Sequence, residues 1–442
     1  MEGTPTYFNQ ALSNLVEGIA RLHFPDAVEP IVVRDQYGRI RLAIDADAKT
    51  VSEIESMTSS LWTTLGVYSD PKEKRVLGKD DFFDPDLVFK NPDTMAYVAS
   101  GQNQKIMLLD RQVTGQDWIR TDVREGSHPP RVVFYGLKGG VGRSTALALY
   151  AYHLGLAGKR VLLIDFDLES PGLSSLMLPP DKLPEFGIVD WFVEDAVGQA
   201  DGLPERMTSI SPLSNMQGVT GRINVASAMQ VAEPAYLSKL SRVFLDIPKS
   251  TGGVERFYER SGRLLRRLES LTTPDVVLID SRAGLHDIAA VSIVGLADAV
   301  LLFGTDSSQT WEALRLLFTH WQNRPEILKT VRDRLKMVYA LFPENDQGPR
   351  KKSYLEHSYT LFSSTIYEEI PAGDKNVSPD TFNFDMNSVE APHYPSVINW
   401  SPRFLEFSED NLLDQTITQP MIQANFGAFF ETLNRIVGDE TA

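Results

Sequence analysis

The 442-residue chain contains no cysteine. That absence excludes disulfides, thiolate zinc sites and cysteine nucleophiles together, and it fits a reducing, cytoplasmic setting. No stretch approaches the ~20 consecutive apolar residues that a membrane helix requires, so no membrane association is expected. The opening residues, MEGTPTYFNQ, carry an acid and no basic run, and do not read as a secretory signal. Positive charge is scarce. Against 59 Asp and Glu there are 43 Lys and Arg, a formal net charge of −16, which makes nucleic acid an unlikely partner and disfavours anionic lipid. No internal repeat or low-complexity tract appears. What is present, 42% hydrophobic and 23% charged residues, is the composition of a globular protein too long for one ordinary core.

Residues 1–125 read as a small α+β accessory domain. Tyr7, Leu12, Leu15, Ile19 and Leu22 recur at helical spacing. Two β-rich runs, at 31–34 and 40–44, flank Asp35-Gln-Tyr-Gly38 and predict a hairpin. A second helical pattern covers 51–65, and 105–110 reads as a strand. The stretch Gly126-Ser-His-Pro-Pro130 is a linker by its prolines and glycine. From 131 to 442 the pattern changes to apolar runs alternating with helical segments. The runs, at 132–135, 161–164, 276–279, 300–303 and 337–342, are continuous and not alternating. Such runs indicate strands buried on both faces, so the fold class is α/β, a doubly wound, mostly parallel sheet with flanking helices. Ligands of such sheets bind outside the carboxyl ends of the strands. At the C-terminus, Ile422, Phe426, Phe429, Phe430, Leu433 and Ile436 fall at helical spacing beside few basic residues, which predicts core packing or a partner surface over a membrane anchor.

The first run leads into Lys138-Gly-Gly-Val-Gly-Arg-Ser-Thr145 and then a helical segment. Gly139, Gly140 and Gly142 allow the backbone around Val141 to curl and aim N–H groups at phosphate oxygens. The helix, expected to start near Ser144, adds its positive dipole end to the same anion. Ser144 is placed to offer its hydroxyl to Mg²⁺. The pattern departs from GxxxxGK[ST] at both ends, with Leu137 at the first glycine and Arg143 at the lysine.

The second run ends Asp165-Phe-Asp167, which puts two carboxylates on the rim that carries the loop. One can act through the hydration shell of Mg²⁺, and the other can position a water. The third run ends in Asp280, a pattern in which the acid hydrogen-bonds the metal's water ligands. Arg282, in Ser281-Arg-Ala-Gly284, either stabilises developing phosphate charge or forms a salt bridge with Asp287 or a dimer contact. His286 reads as a structural histidine.

KGGVGRST resembles the deviant P-loop of the ParA/MinD-like ATPases of the SIMIBI class, and most closely a KGGVGR-motif variant group. The resemblance covers roughly residues 131–375, with its motifs in order. It implies ATP and Mg²⁺ as cofactors, held by residues 138–145 and by Ser144, Asp165 and Asp280. It implies a homodimer closed around ATP, in which Lys138 reaches the partner's phosphates and Arg143 contacts phosphate in its own subunit. It implies that Asp165 contacts the Mg²⁺ sphere while Asp167 orients water. Adenine would be read by residues after a late strand, where Phe342 and Pro343 replace the usual asparagine, and by a loop containing Pro371. The function implied is a slowly hydrolysing ATP switch that regulates a protein partner, through residues 1–125, in a bacterial signalling or defence system. A nucleotide-binding module without turnover and a ParA-like DNA-positioning ATPase are the alternatives. The segment Asp165-Phe-Asp-Leu-Glu-Ser-Pro171 is also similar to protein-tyrosine kinases of related fold, but no tyrosine follows Tyr394 to form their tail.

Overall fold

The computed structural model describes residues 5–25, 28–98, 105–112, 114–120, 126–230, 235–249, 253–370 and 381–438. The chain forms two compact units, Met1–Arg120 with Thr319–Lys329, and Thr121–Phe318 with Thr330–Ala442. The inclusion of 319–329 in the first unit is not apparent from sequence pattern.

The first unit holds a mixed sheet of β1 (Ile31–Arg34), β2 (Ile40–Ala43), β3 (Val76–Leu77), β4 (Thr94–Val98) and β5 (Lys105–Asp110), in the order β3-β2-β1-β5-β4. The hairpin expected around Asp35 forms. The Asp35 carboxylate accepts from the amides of Tyr37 and Arg39, each at 2.9 Å, and Gly38 takes the left-handed conformation (φ 84°). Helix Phe8–Ile19 buries Leu12, Leu15 and Ile19 against Val32, Leu42 and Leu108 of the sheet. The second helical pattern breaks after Thr58, and residues 62–68 continue as tighter helical turns interrupted at Gly66.

The second unit is built on eight strands: β6 (Arg131–Gly136), β7 (Arg160–Phe166), β8 (Thr208–Ile210), β9 (Arg222–Ala226), β12 (Val276–Ser281), β13 (Ala299–Gly304), β14 (Leu335–Phe342) and β15 (Ser396–Asn399). A separate two-stranded ribbon joins β10 (Ile247–Pro248) to β11 (Val254–Glu255). The large sheet runs β15-β14-β13-β6-β12-β7-β9-β8, and every pairing except β8 with β9 is parallel. This is the doubly wound α/β sheet that the apolar runs predict. Alternate residues of one strand serve opposite layers. Val161 and Leu163 join the core that includes helix Arg143–Leu156 and helix Gln419–Ile436. Ile164 and Phe166 line a small cavity together with Leu264, Leu265 and Leu268 of helix Phe257–Thr272. The C-terminal aromatics are core: the Phe429 ring lies 6.2 Å from Phe134 and 5.9 Å from Phe303. No helix among the described residues is long and apolar enough to cross a membrane.

Candidate functional site

β6 delivers the chain to Gly136, where a Cβ would stand 3.1 Å from the Phe303 carbonyl oxygen and 3.3 Å from Arg143 Cδ. The loop 137–142 then passes through left-handed backbone at Gly140 (φ 74°) and Gly142 (φ 77°), which a side chain would strain. Cβ atoms built at Gly139 and Gly140 meet nothing within 4 Å, so this face of the loop is open. Gly142 caps the helix, which begins at Arg143, and the helix dipole therefore ends at the loop.

β7 and β12 are parallel neighbours, and their register sets Asp165 opposite Asp280. Both are fully enclosed, at 0% and 1% exposure. Asp165 Oδ2 accepts from the Ser174 amide (3.0 Å) and hydroxyl (2.7 Å). Asp280 Oδ2 accepts from the Ser144 hydroxyl at 2.5 Å. The remaining oxygen of each, and Oδ1 of Asp167, is buried without a hydrogen-bond partner. Burial, reinforced by the charge of Asp280, pushes the Asp165 carboxyl up to about 7. Burial likewise pushes Asp280 up to about 6, against the pull of Arg143 and the Ser144 hydrogen bond. Burial also raises Asp167, with Arg143 and Arg282 opposing.

Orphaned carboxylate oxygens beside a serine hydroxyl form an oxygen donor set of the type Mg²⁺ takes. Among the described residues, no group of three or more His, Cys, Asp or Glu side chains could hold a metal by itself. The donor set therefore fits an ion that completes its shell with phosphate oxygens and water, as Mg²⁺ commonly does.

The basic residues are placed differently from one another. Arg143 is only 7% exposed. Its Nη1 donates to the Ser281 carbonyl at 2.7 Å, and Nη2 lies 3.6 Å from Asp167 Oδ2. Its guanidinium thus serves the carboxylate rim. Lys138 is exposed, and its ammonium donates to the Gln309 side chain at the start of helix Ser308–Gln322. Arg282 pairs with Glu169 (2.7 Å) and lies 3.9 Å from Asp167, and His286 also reaches Glu169 (3.1 Å). Gln309 escapes sequence reading because it belongs to no spaced motif, and Glu169, although inside the segment 165–171, carries no signal of the two bases it meets. Ser174 sits in a serine-rich run whose only signal is its closeness to Asp165 in the chain.

Beside the loop opens a cleft of about 330 Å³, lined by Thr145, Leu341, Ile398, Asn399, Trp400 and Phe404 among others. Its asparagine stands at the end of β15, one strand beyond the position considered from sequence. Phe342 is buried against Tyr339 and is not among the lining residues. Leu341 has positive φ (53°) where the β14–β15 register shifts, so the cleft wall is bent at a strained residue. Pro371 lies outside the described residues.

No protein-family model matches the chain, and no curated protein matches it. Among solved structures it is similar to an McdA variant from Cyanothece in complex with ATP, at 17% identity over 72% of this chain and 99% of that one, with a TM-score of 0.42. It is similar to pNOB8 ParA bound to nonspecific DNA, at 18% identity over 70% and 97% of the two chains, with a TM-score of 0.40. A third is the cobyrinic acid a,c-diamide synthase of Mycobacterium smegmatis with an ATP analog and magnesium, at 16% identity over 65% and 96%, with a TM-score of 0.37. At these identities and TM-scores the likenesses carry no argument, and the activity has to be argued from the site.

Proposed function

We propose that this chain is a ParA/MinD-like, Mg²⁺-dependent ATPase that hydrolyses slowly, forms a homodimer around ATP and switches a protein partner in the cytoplasm. The observation that carries the reading is the rim itself. Asp165 and Asp280 are buried side by side, each with an unpartnered oxygen, next to a serine hydroxyl at the head of a glycine loop. Two buried carboxylates left half-satisfied are costly unless a cation completes them. The loop amides and the helix dipole would hold the phosphates, and Ser144, Asp165 and Asp280 would hold Mg²⁺ directly or through water. When bound, Mg²⁺ would neutralise charge on the transferred phosphoryl group. The cleft beside Thr145 would take the nucleoside, with Trp400 as an aromatic wall.

Lys138 suits a role in trans. It is exposed at the loop, and a single amide oxygen holds its ammonium, so it can leave for a phosphate on a second copy. Arg143 suits slow turnover. It must release the Ser281 carbonyl and Asp167 before its guanidinium can meet a phosphate. The same observation favours a second reading, a nucleotide-binding module without turnover, in which Arg143 is a permanent brace. Residues 1–125 are the proposed partner-binding region, and the setting proposed is a bacterial signalling or defence system.

ATP hydrolysis measured for the wild type, Asp165→Ala and Lys138→Ala separates the two readings. A wild-type rate above both variants supports the switch, and equal background rates leave only binding. Light scattering with ATP, ADP and no nucleotide tests the dimer, whose mass should double with ATP alone. With a net charge of −16, DNA is not the proposed partner, and salt-sensitive retardation of DNA in a gel would reverse that.

A further inference from the structure

The charged side chains along the rim alternate in sign. Arg143 faces Asp167, Asp167 faces Arg282, Arg282 pairs with Glu169, and Glu169 pairs with His286. The spacings are unequal. Arg282 Nη2 is 2.7 Å from Glu169 Oε2, whereas Nη1 stands 3.9 Å from Asp167 Oδ1. His286 occupies the other oxygen of Glu169 through Nε2 at 3.1 Å. The Nδ1 of that ring accepts from the Ile288 amide at 3.3 Å, which leaves Nε2 as the ring nitrogen that faces Glu169.

We infer that Glu169 is a positioning residue: it draws Arg282 off Asp167 and leaves Asp167 Oδ1 free to orient a water. The inference rests on the proposed reading of Asp167 as the water-orienting carboxylate. Two orphaned atoms support it. Asp167 Oδ1 and Arg282 Nε are both buried without a hydrogen-bond partner, although the two residues are neighbours of opposite charge. An arginine and a carboxylate that close on each other normally form short, often bidentate, hydrogen bonds, and this pair has not closed. The competing acceptor is visible, since Glu169 takes Arg282 at full hydrogen-bonding distance while His286 anchors its other oxygen. A carboxylate clasped by a guanidinium has fewer lone pairs to offer a water, so Arg282 at close range would disable Asp167. Glu169 prevents this without touching nucleotide or metal.

Glu169→Gln removes the charge and keeps the shape. In a crystal structure of that variant, Arg282 should close on Asp167 to about 2.9 Å. For ATP turnover, kcat should fall by about tenfold while KM changes by less than about twofold, because nucleotide contacts are untouched. The double variant Glu169→Gln/Arg282→Gln should turn over no more slowly than Arg282→Gln alone, since the two residues act as one unit. A merely structural glutamate would instead give additive losses. An Arg282–Asp167 distance unchanged in Glu169→Gln, or additive losses in kcat, overturns the inference. If the wild type itself shows no turnover, the hydrolysis reading fails, and the crystallographic distance still decides the role of Glu169.

Discussion

In the first unit Asp110, 3% exposed, is held by Arg34 Nε at 2.8 Å and by Gln112 at 3.0 Å, with Arg324 3.9 Å away. In the second unit Asp165 and Asp280 are at least as deeply buried, yet they face each other and each keeps an oxygen without a partner. Their proton affinities move in opposite directions. Burial alone would raise Asp110, but the hydrogen bonds and charge of Arg34 bring it below the usual carboxylate range. Burial raises Asp165, and its nearest charged neighbour raises it further. On the proposed reading, the difference separates structural charge from functional charge. A buried acid supplied with guanidinium is complete as folded, whereas one supplied only with hydroxyl and amide donors keeps lone pairs that fit the cation proposed above.

The largest effect that would break this contrast is on stability. Asp110→Ala leaves the buried Arg324 and the half-buried Arg34 without their carboxylate, and should cost about 3–5 kcal/mol in urea unfolding while nucleotide binding by the second unit is unchanged. A loss under about 1 kcal/mol would show that the pair is not structural. Next, Asp280→Ala should lower Mg²⁺-dependent ATP turnover by about 100-fold, roughly 2.7 kcal/mol of transition-state stabilisation, without comparable unfolding. Retained turnover would remove the rim from the chemistry.

The pH dependence sharpens the contrast. Burial pushes the Asp165 carboxyl up to about 7 from its ordinary value of 3.8, so between those values the folded state holds a proton that the unfolded state has lost. Stability therefore falls as pH rises through that window, and is level above it. Asp110, depressed on folding, has the opposite sign: its contribution is present above the unfolded value and is lost as pH falls through the folded one. Chemical denaturation of Asp165→Asn should give a flatter profile than wild type from pH 5 to about 7 and greater stability at about pH 8. Parallel profiles would refute the raised carboxyl. The smallest effect concerns the cleft. Trp400→Ala should weaken ATP binding by about fivefold, near 1 kcal/mol, with turnover at saturation unchanged. Titration with a fluorescent ATP analogue reads this directly, and unaltered affinity would move the nucleoside elsewhere.

Much of the second unit was legible in the sequence because a strand buried on both faces leaves an uninterrupted apolar run. β9 escaped because Asn224 stands at its centre, 3% exposed, and breaks the run. β15 escaped because it is four residues long and ends in a polar side chain. Of the candidate site, the placement of the glycines, Ser144, Asp165 and Asp280 at the strand ends was legible, since it depends on local spacing and strand register. The direction taken by Arg143 was not. It is set by the Ser281 carbonyl and Asp167, which reach it only through tertiary folding. Arg282 shows the same limit. From sequence its role was left open between phosphate charge, a salt bridge with Asp287 and a dimer contact, and the fold brings Glu169, which none of these named, to within 2.7 Å of it.

The phosphate loop and the missing cysteines have a joint consequence for experiment. Gly139 is outside the left-handed backbone region that Gly140 and Gly142 occupy, and a Cβ there meets no atom within 4 Å. A thiol introduced by Gly139→Cys would be the only one in the chain, so a dye attached there needs no background substitutions. Such a label would sit on the open face of the loop, where nucleotide bound as proposed would change its surroundings. The chain therefore needs one substitution, and no others, to carry a single optical probe at the loop.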